Sequence, residues 1–191
     1  MSEMRNGIDP ETPWMQTTSG RHVSLLEPTP DMIDLCDIAT ALERLVRFTG
    51  HGDLTPPWTI ARHSITVARI VAGHGWDDQV IATALLHDAT EAYIGDLSRP
   101  LKQSLRLLSG ADESPLDVIE DRLWSAICSR FDLIYDMPAA VRDADGMALA
   151  LEADELFGAG TGESWGLVHP PWPVGAPMAS FMDVARSVEL S

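Results

Sequence analysis

Cysteine is scarce in this chain of 191 residues, and lysine is scarcer still. Cys36 and Cys128 are the only cysteines, far apart and each within a stretch that reads as helical. With no CxxC spacing they form neither a thiolate metal site nor a disulfide framework, and they read as small buried hydrophobes in a reducing cytosol. Lys102 is the only lysine; 13 basic residues face 29 acidic ones, a net charge of −16. That balance excludes general nucleic-acid binding, which needs a basic footprint. It leaves room for a small anionic substrate where the few cations are placed locally. Long apolar runs are missing too, since none approaches the roughly 20 residues of a membrane span. The polar, acidic stretch from Met1 to Trp14 lacks a basic-then-apolar leader pattern. The expectation is a cytoplasmic protein with no membrane contact.

What is present is ordinary globular material, 45% hydrophobic and 22% charged, in a chain long enough for one domain with a real core. The pattern reads as all-α. Residues 1–16 form an N-terminal arm, and the domain spans 17–191 with its core at about 31–157. Asp31 or Asp34 caps a helix running to about Phe48. A second helix spans about Trp58 to Gly73, and a third about Asp77 to Tyr93. Arg99-Pro100 starts a short segment through Leu108. Ser114-Pro115 with Asp117 forms a capping box for the next helix, which ends near Arg130. Pro138 opens another, to about Phe157. Gly158 to Pro177 is a loop rich in Gly, Pro and Trp, followed by a last helix over 179–188. Strand patterns are absent apart from a short hairpin near Ser19–Leu26.

Chemistry concentrates at His87-Asp88, a polar pair at the end of the apolar run Val80–Leu86. Burying such a pair is costly unless something binds it. His63 shares a helix face with Val67, Ile70 and Val71, and Asp145 shares one with Val141, Ala148 and Leu149, so both point inward. Two imidazoles and two carboxylates from three helices would make a mixed nitrogen/oxygen metal site. Glu91 falls on the same helix face as the His-Asp pair. Taken singly, each residue reads as easily as a satisfied core histidine or a solvated helix charge; the combination favours a metal.

These residues resemble the HD-domain metal-dependent phosphohydrolases, whose pattern is a histidine, a His-Asp pair and a distant aspartate on helices. The matching stretches are Ala61-Arg62-His63-Ser64, Leu85-Leu86-His87-Asp88-Ala89-Thr90-Glu91 and Val141-Arg142-Asp143-Ala144-Asp145. The likeness is greatest to the branch of bacterial 5'-deoxynucleotidases and phage dATP triphosphohydrolases, carried by Gly95-Asp96-Leu97, Pro100 and Lys102 after the His-Asp pair. Ser19-Gly20-Arg21 and Asp34–Ala39 look like the phage-type members. The resemblance covers roughly 17–156 and implies a single HD-domain helical bundle.

It further implies that His63, His87, Asp88 and Asp145 hold one divalent transition metal (Co²⁺, Mn²⁺, Zn²⁺, Ni²⁺ or Fe²⁺), with Mg²⁺ accompanying a triphosphate substrate. Glu91 would be the general acid/base group and Asp96 a catalytic group contacting the sugar. Arg47, Phe48, His51, Arg99 and Lys102 would contact the substrate. Phe48 departs from the tryptophan of the deoxynucleotidases, which puts selection for 2'-deoxy sugars in doubt. The implied function is hydrolysis of deoxynucleotides in a homo-oligomer. Triphosphate release from dATP or other dNTPs leads, dephosphorylation of dNMPs is the alternative, and an inactive nucleotide-binding module stays open.

Overall fold

The computed structural model describes residues 13–53, 55–168 and 180–190, and most of them are helical. The exception to the all-α expectation is one hairpin, in which β1 (Trp14–Gln16) pairs antiparallel with β2 (His22–Ser24). It lies where residues 19–26 suggested one, but it draws its first strand from the stretch read as an arm; residues 1–12 of that arm lie outside the described residues. Gly20, at φ +88°, turns the chain between the strands. The turn is fastened to the domain by Ser19, whose N–H and hydroxyl donate to Asp37 at 2.7 and 2.6 Å, and by Arg21, which donates to Asp34. Ser19-Gly20-Arg21 is therefore a structural clasp.

Asp34 caps α1 (Leu35–Leu42), accepting from the N–H groups of Cys36 and Asp37. The helix stops well short of Phe48. Residues 45–47 are instead drawn into a bridge, with Ile60 N–H donating to Leu45 at 3.0 Å and Arg47 N–H donating to Trp58 at 2.9 Å. Arg47–Gly50 then makes a tight turn in which Phe48 and Thr49 take left-handed backbone angles. Cys36 is exposed, so only Cys128 is the buried hydrophobe expected of both; burial pushes its thiol up to about 12.

Three helices frame the site. α2 (Ile60–Gly73), capped by Thr59, packs against α3 (Asp78–Leu86), capped by Asp77, and against α7 (Ala139–Phe157). Ile60, Val67, Leu85, Leu86 and Ala148 are fully enclosed between them; each large aliphatic side chain among these contributes roughly 1.5–3 kcal/mol. Beyond α3 come α4 (Glu91–Ile94), a single turn, and α5 (Arg99–Ser109), starting at Arg99-Pro100 as expected. Ser114 and Asp117 form the expected capping box of α6 (Pro115–Phe131). A one-turn α8 (Thr161–Ser164) follows α7, and α9 (Phe181–Ser187) inserts Phe181 into the core. Residues 169–177 of the expected Gly/Pro-rich loop lie outside the described residues. No helix among the described residues is long and apolar enough to cross a membrane.

Candidate functional site

His63 sits about one turn into α2 and is completely buried. His87 closes α3, where the helix expected to continue to Tyr93 breaks. Ala89 N–H donates to Leu86 and Glu91 N–H to Asp88, the i→i−3 spacing of a tighter turn. That tightening turns His87, Asp88 and Glu91 towards one cavity. Asp145 comes from the second turn of α7. His63 Nε2 lies 3.2 Å from His87 Nε2, 3.2 Å from Asp145 Oδ1 and 3.4 Å from Asp88 Oδ2; His87 Nε2 lies 3.4 Å from the same Asp88 oxygen.

The proton arrangement of the imidazoles makes this convergence informative. His87 Nδ1 lies 2.8 Å from the carbonyl of Ala84, which can only accept, so Nδ1 carries the hydrogen. His63 Nδ1 donates to the Glu152 carboxylate at 2.5 Å. In the neutral rings both Nε2 atoms therefore present lone pairs, to each other and to two carboxylates. Acceptors meeting with no donor between them call for a cation. The His63-His87-Asp88 group could hold a metal ion, and Asp145 stands within reach of it.

Without a metal the available cation is a proton. Burial and Arg47 push the His63 value down, but Glu152 and Asp145 outweigh them and raise it to about 9. Burial would raise both aspartates; His87, His63 and Arg47 hold Asp88 below its usual range, and hydrogen bonding to His63 does the same for Asp145.

Arg47 and Glu152 complete the inner charge network. Arg47 Nε donates to Glu152 Oε2 at 2.7 Å, and its Nη1 lies 3.6 Å from Asp88. Arg47 thus lies at the site, partly buried, in the bridge that follows α1 rather than in a helix running to Phe48. Glu152 is fully buried and escaped the sequence reading. A signal existed: it falls seven residues after Asp145, on the same face of α7, as the one charge in the run from Met147 to Ala153.

Glu91 is 6% exposed, and among the described residues its Oε2 has no hydrogen-bond partner. Burial, then Asp88 and Asp96, raise its carboxyl to about 9, so it holds a proton at neutral pH. Lys102 Nζ approaches it at 4.0 Å but pairs with Glu120 at 2.7 Å. Half-buried Asp96 follows Gly95, and burial raises its carboxyl. A cleft of about 930 Å³ is lined by Asp88, Glu91 and Asp145 together with Arg47, Phe48, His51, Asp96, Arg99 and Lys102, so every expected substrate contact opens onto it. Arg106 also lines it, engaged by Asp117 at 2.6 Å. Phe157, Trp165 and Leu167, which the sequence reading did not select, form part of the wall.

Fold and site together define a mostly helical protein with a candidate nitrogen/oxygen metal centre at a charged cleft. No family model matches the chain. It is 34% identical over 167 residues to an uncharacterized protein of Rhodobacter capsulatus, covering 84% of this chain and 82% of that one. It is 32% identical over 152 residues to the uncharacterized protein YfdR of Escherichia coli, covering 80% and 76%. The chain belongs to the family that these two proteins represent.

Proposed function

We propose that this protein is a cytoplasmic, metal-dependent phosphohydrolase acting on deoxynucleotides, with triphosphate release from dATP or other dNTPs as the leading reaction. The observation that carries the reading is the convergence of His63 Nε2, His87 Nε2, Asp88 and Asp145 at contacts of 3.2 to 3.4 Å, beside the buried carboxyl of Glu91. The HD-domain likeness of the same residues points the same way. A divalent ion held there supplies Lewis-acid polarisation of phosphorus and an acidified water. The chain's own groups do the rest. Arg47, anchored by Glu152, offers its remaining N–H groups to a phosphate oxygen. Glu91, protonated at neutral pH, gives its proton to the leaving oxygen. Asp96 accepts from a sugar hydroxyl, and Arg99 and Lys102 meet the outer phosphates.

Dephosphorylation of dNMPs is the second reading, favoured by the pairing of Lys102 with Glu120, which occupies one cation that outer phosphates would use. An inactive nucleotide-binding module is the third. A homo-oligomer would cover the exposed Leu101, Leu107 and Leu108 of α5. The test is incubation with Mn²⁺ or Co²⁺ and a panel of dNTPs and dNMPs, identifying the released product. Triphosphate selects the first reading and orthophosphate from dNMPs the second. Binding without release selects the third.

A further inference from the structure

The wall of the cleft beyond Arg47 is aromatic. Phe48, Phe157 and Trp165 meet there with ring centroids 5.5, 5.8 and 6.3 Å apart and planes inclined by 82°, 51° and 45°. None of these three rings stacks face to face on another, so among the described residues they leave one another's faces open. Phe157 is 43% and Trp165 49% exposed, unusual for large aromatics placed side by side. The Arg47 guanidinium lies 5.6 Å from the Phe48 ring and 3.6 Å from Asp88, so it joins this wall to the metal-ligand cluster.

The wall is held in place from both sides. Phe48 and the β-branched Thr49 both have φ of 56°, left-handed backbone that such residues rarely adopt and that persists where the surroundings enforce it. On the other side Gly162 N–H donates to Asp154 at 2.7 Å, and a Cβ on Gly162 would stand 2.8 Å from the Ala150 carbonyl oxygen. Only glycine lets α8 lie this close to α7, and the chain emerging from α8 delivers Trp165 beside Phe157.

We propose that Phe48, Phe157 and Trp165 form a stacking subsite for the planar ring of a nucleobase. The class of ligand rests on the nucleotide reading above: charged groups at one end of the cleft and aromatic faces beyond them match a phosphate and a base separated by a sugar. Recognition by ring faces ranks bases by stacking area, so purines bind more tightly than pyrimidines.

The experiment is a ligand-detected NMR titration of the full-length protein with 2'-deoxyadenosine, thymidine and 2-deoxyribose 5-phosphate, without added metal. The expected result is that deoxyadenosine binds more tightly than thymidine. Trp165→Ala or Phe157→Ala should weaken deoxyadenosine about tenfold. Trp165→Phe should restore most of the loss, and the base-free sugar phosphate should bind all variants alike. Both residues are half-exposed, and a thermal melt confirms that the variants fold. Equal deoxyadenosine affinity in wild type and Trp165→Ala, or no deoxyadenosine binding by wild type, overturns the proposal. Because a nucleoside carries no phosphate, this readout is separate from hydrolysis. A protein that binds deoxyadenosine through Trp165 yet releases neither triphosphate from dNTPs nor orthophosphate from dNMPs keeps the subsite and loses the hydrolase reading. Release of either product with no Trp165 effect on nucleoside binding does the reverse.

Discussion

The Glu152 carboxylate accepts the Nδ1–H of His63 at 2.5 Å, with both side chains fully enclosed. This contact fixes which ring nitrogen of His63 faces the cluster, and the second Glu152 oxygen holds Arg47. One residue therefore positions both a candidate ligand and the arginine beside it.

Replacing that carboxylate separates the two jobs. Glu152→Gln keeps an acceptor but loses the charge, and should weaken Mn²⁺ affinity roughly 10- to 100-fold, read by calorimetric titration. Glu152→Ala also strips a partner from buried Arg47, and should cost about 3–5 kcal/mol in denaturant unfolding. Unchanged metal affinity in both variants would show that His63 is oriented by something else.

Glu91 is expected to carry the proton of the reaction. Glu91→Gln should retain Mn²⁺ and substrate binding while lowering turnover by about 10²–10⁴-fold. The variant should also lose the part of the pH–rate profile that Glu91 contributes. Turnover near the wild-type level would remove Glu91 from the chemistry.

The cluster also makes the metal-free protein sensitive to pH. In the folded chain His63 titrates at about 9, above its ordinary 6.5, so its contribution is complete below pH 6.5 and disappears by about pH 9. Glu91, raised from 4.5 to about 9, acts in the same direction, its contribution fading as pH rises from 4.5 to 9. Asp145, held below its ordinary 3.8, works the other way at the acid end, stabilising fully above that value and losing its contribution as pH falls from there towards the lowered folded value. The melting temperature of metal-free protein should therefore fall between pH 6.5 and 9. Saturating Mn²⁺ should flatten the fall, because the ion takes the place of the His63 proton, and binding at neutral pH should release protons. A flat melting curve without metal would contradict the assignment.

Lys102 distinguishes the two substrate readings. Lys102→Ala should raise KM for a dNTP several-fold more than for a dNMP. Equal effects on both would leave Lys102 as a partner of Glu120 alone.

Most helices were legible because their signals are local. The side chains of Asp34, Asp77 and Ser114 accept the N–H groups that start α1, α3 and α6, and the apolar periodicity of residues 60–73 sets the buried face of α2. The candidate ligand residues stood out in the sequence as polar groups where apolar ones belong. What escaped depends on distant partners. Nothing near Leu42 foretells that Leu45 and Arg47 pair with residues 58–60, so α1 read too long and Arg47 seemed able to sit on a helix. The break after Leu86 is equally invisible to periodicity, since the backbone there stays near helical angles and only the hydrogen-bond spacing changes. Glu152 passed unnoticed because one carboxylate in an apolar run is informative only once its partners are known.

The left-handed pair at Phe48 and Thr49 sets stability against function. A glycine in place of Thr49 would relax the backbone there and should raise the melting temperature. The same change would free the segment that presents the Phe48 ring. Selection for thermostability alone should favour Thr49→Gly and yield a sturdier protein with a poorer grip on its ligand.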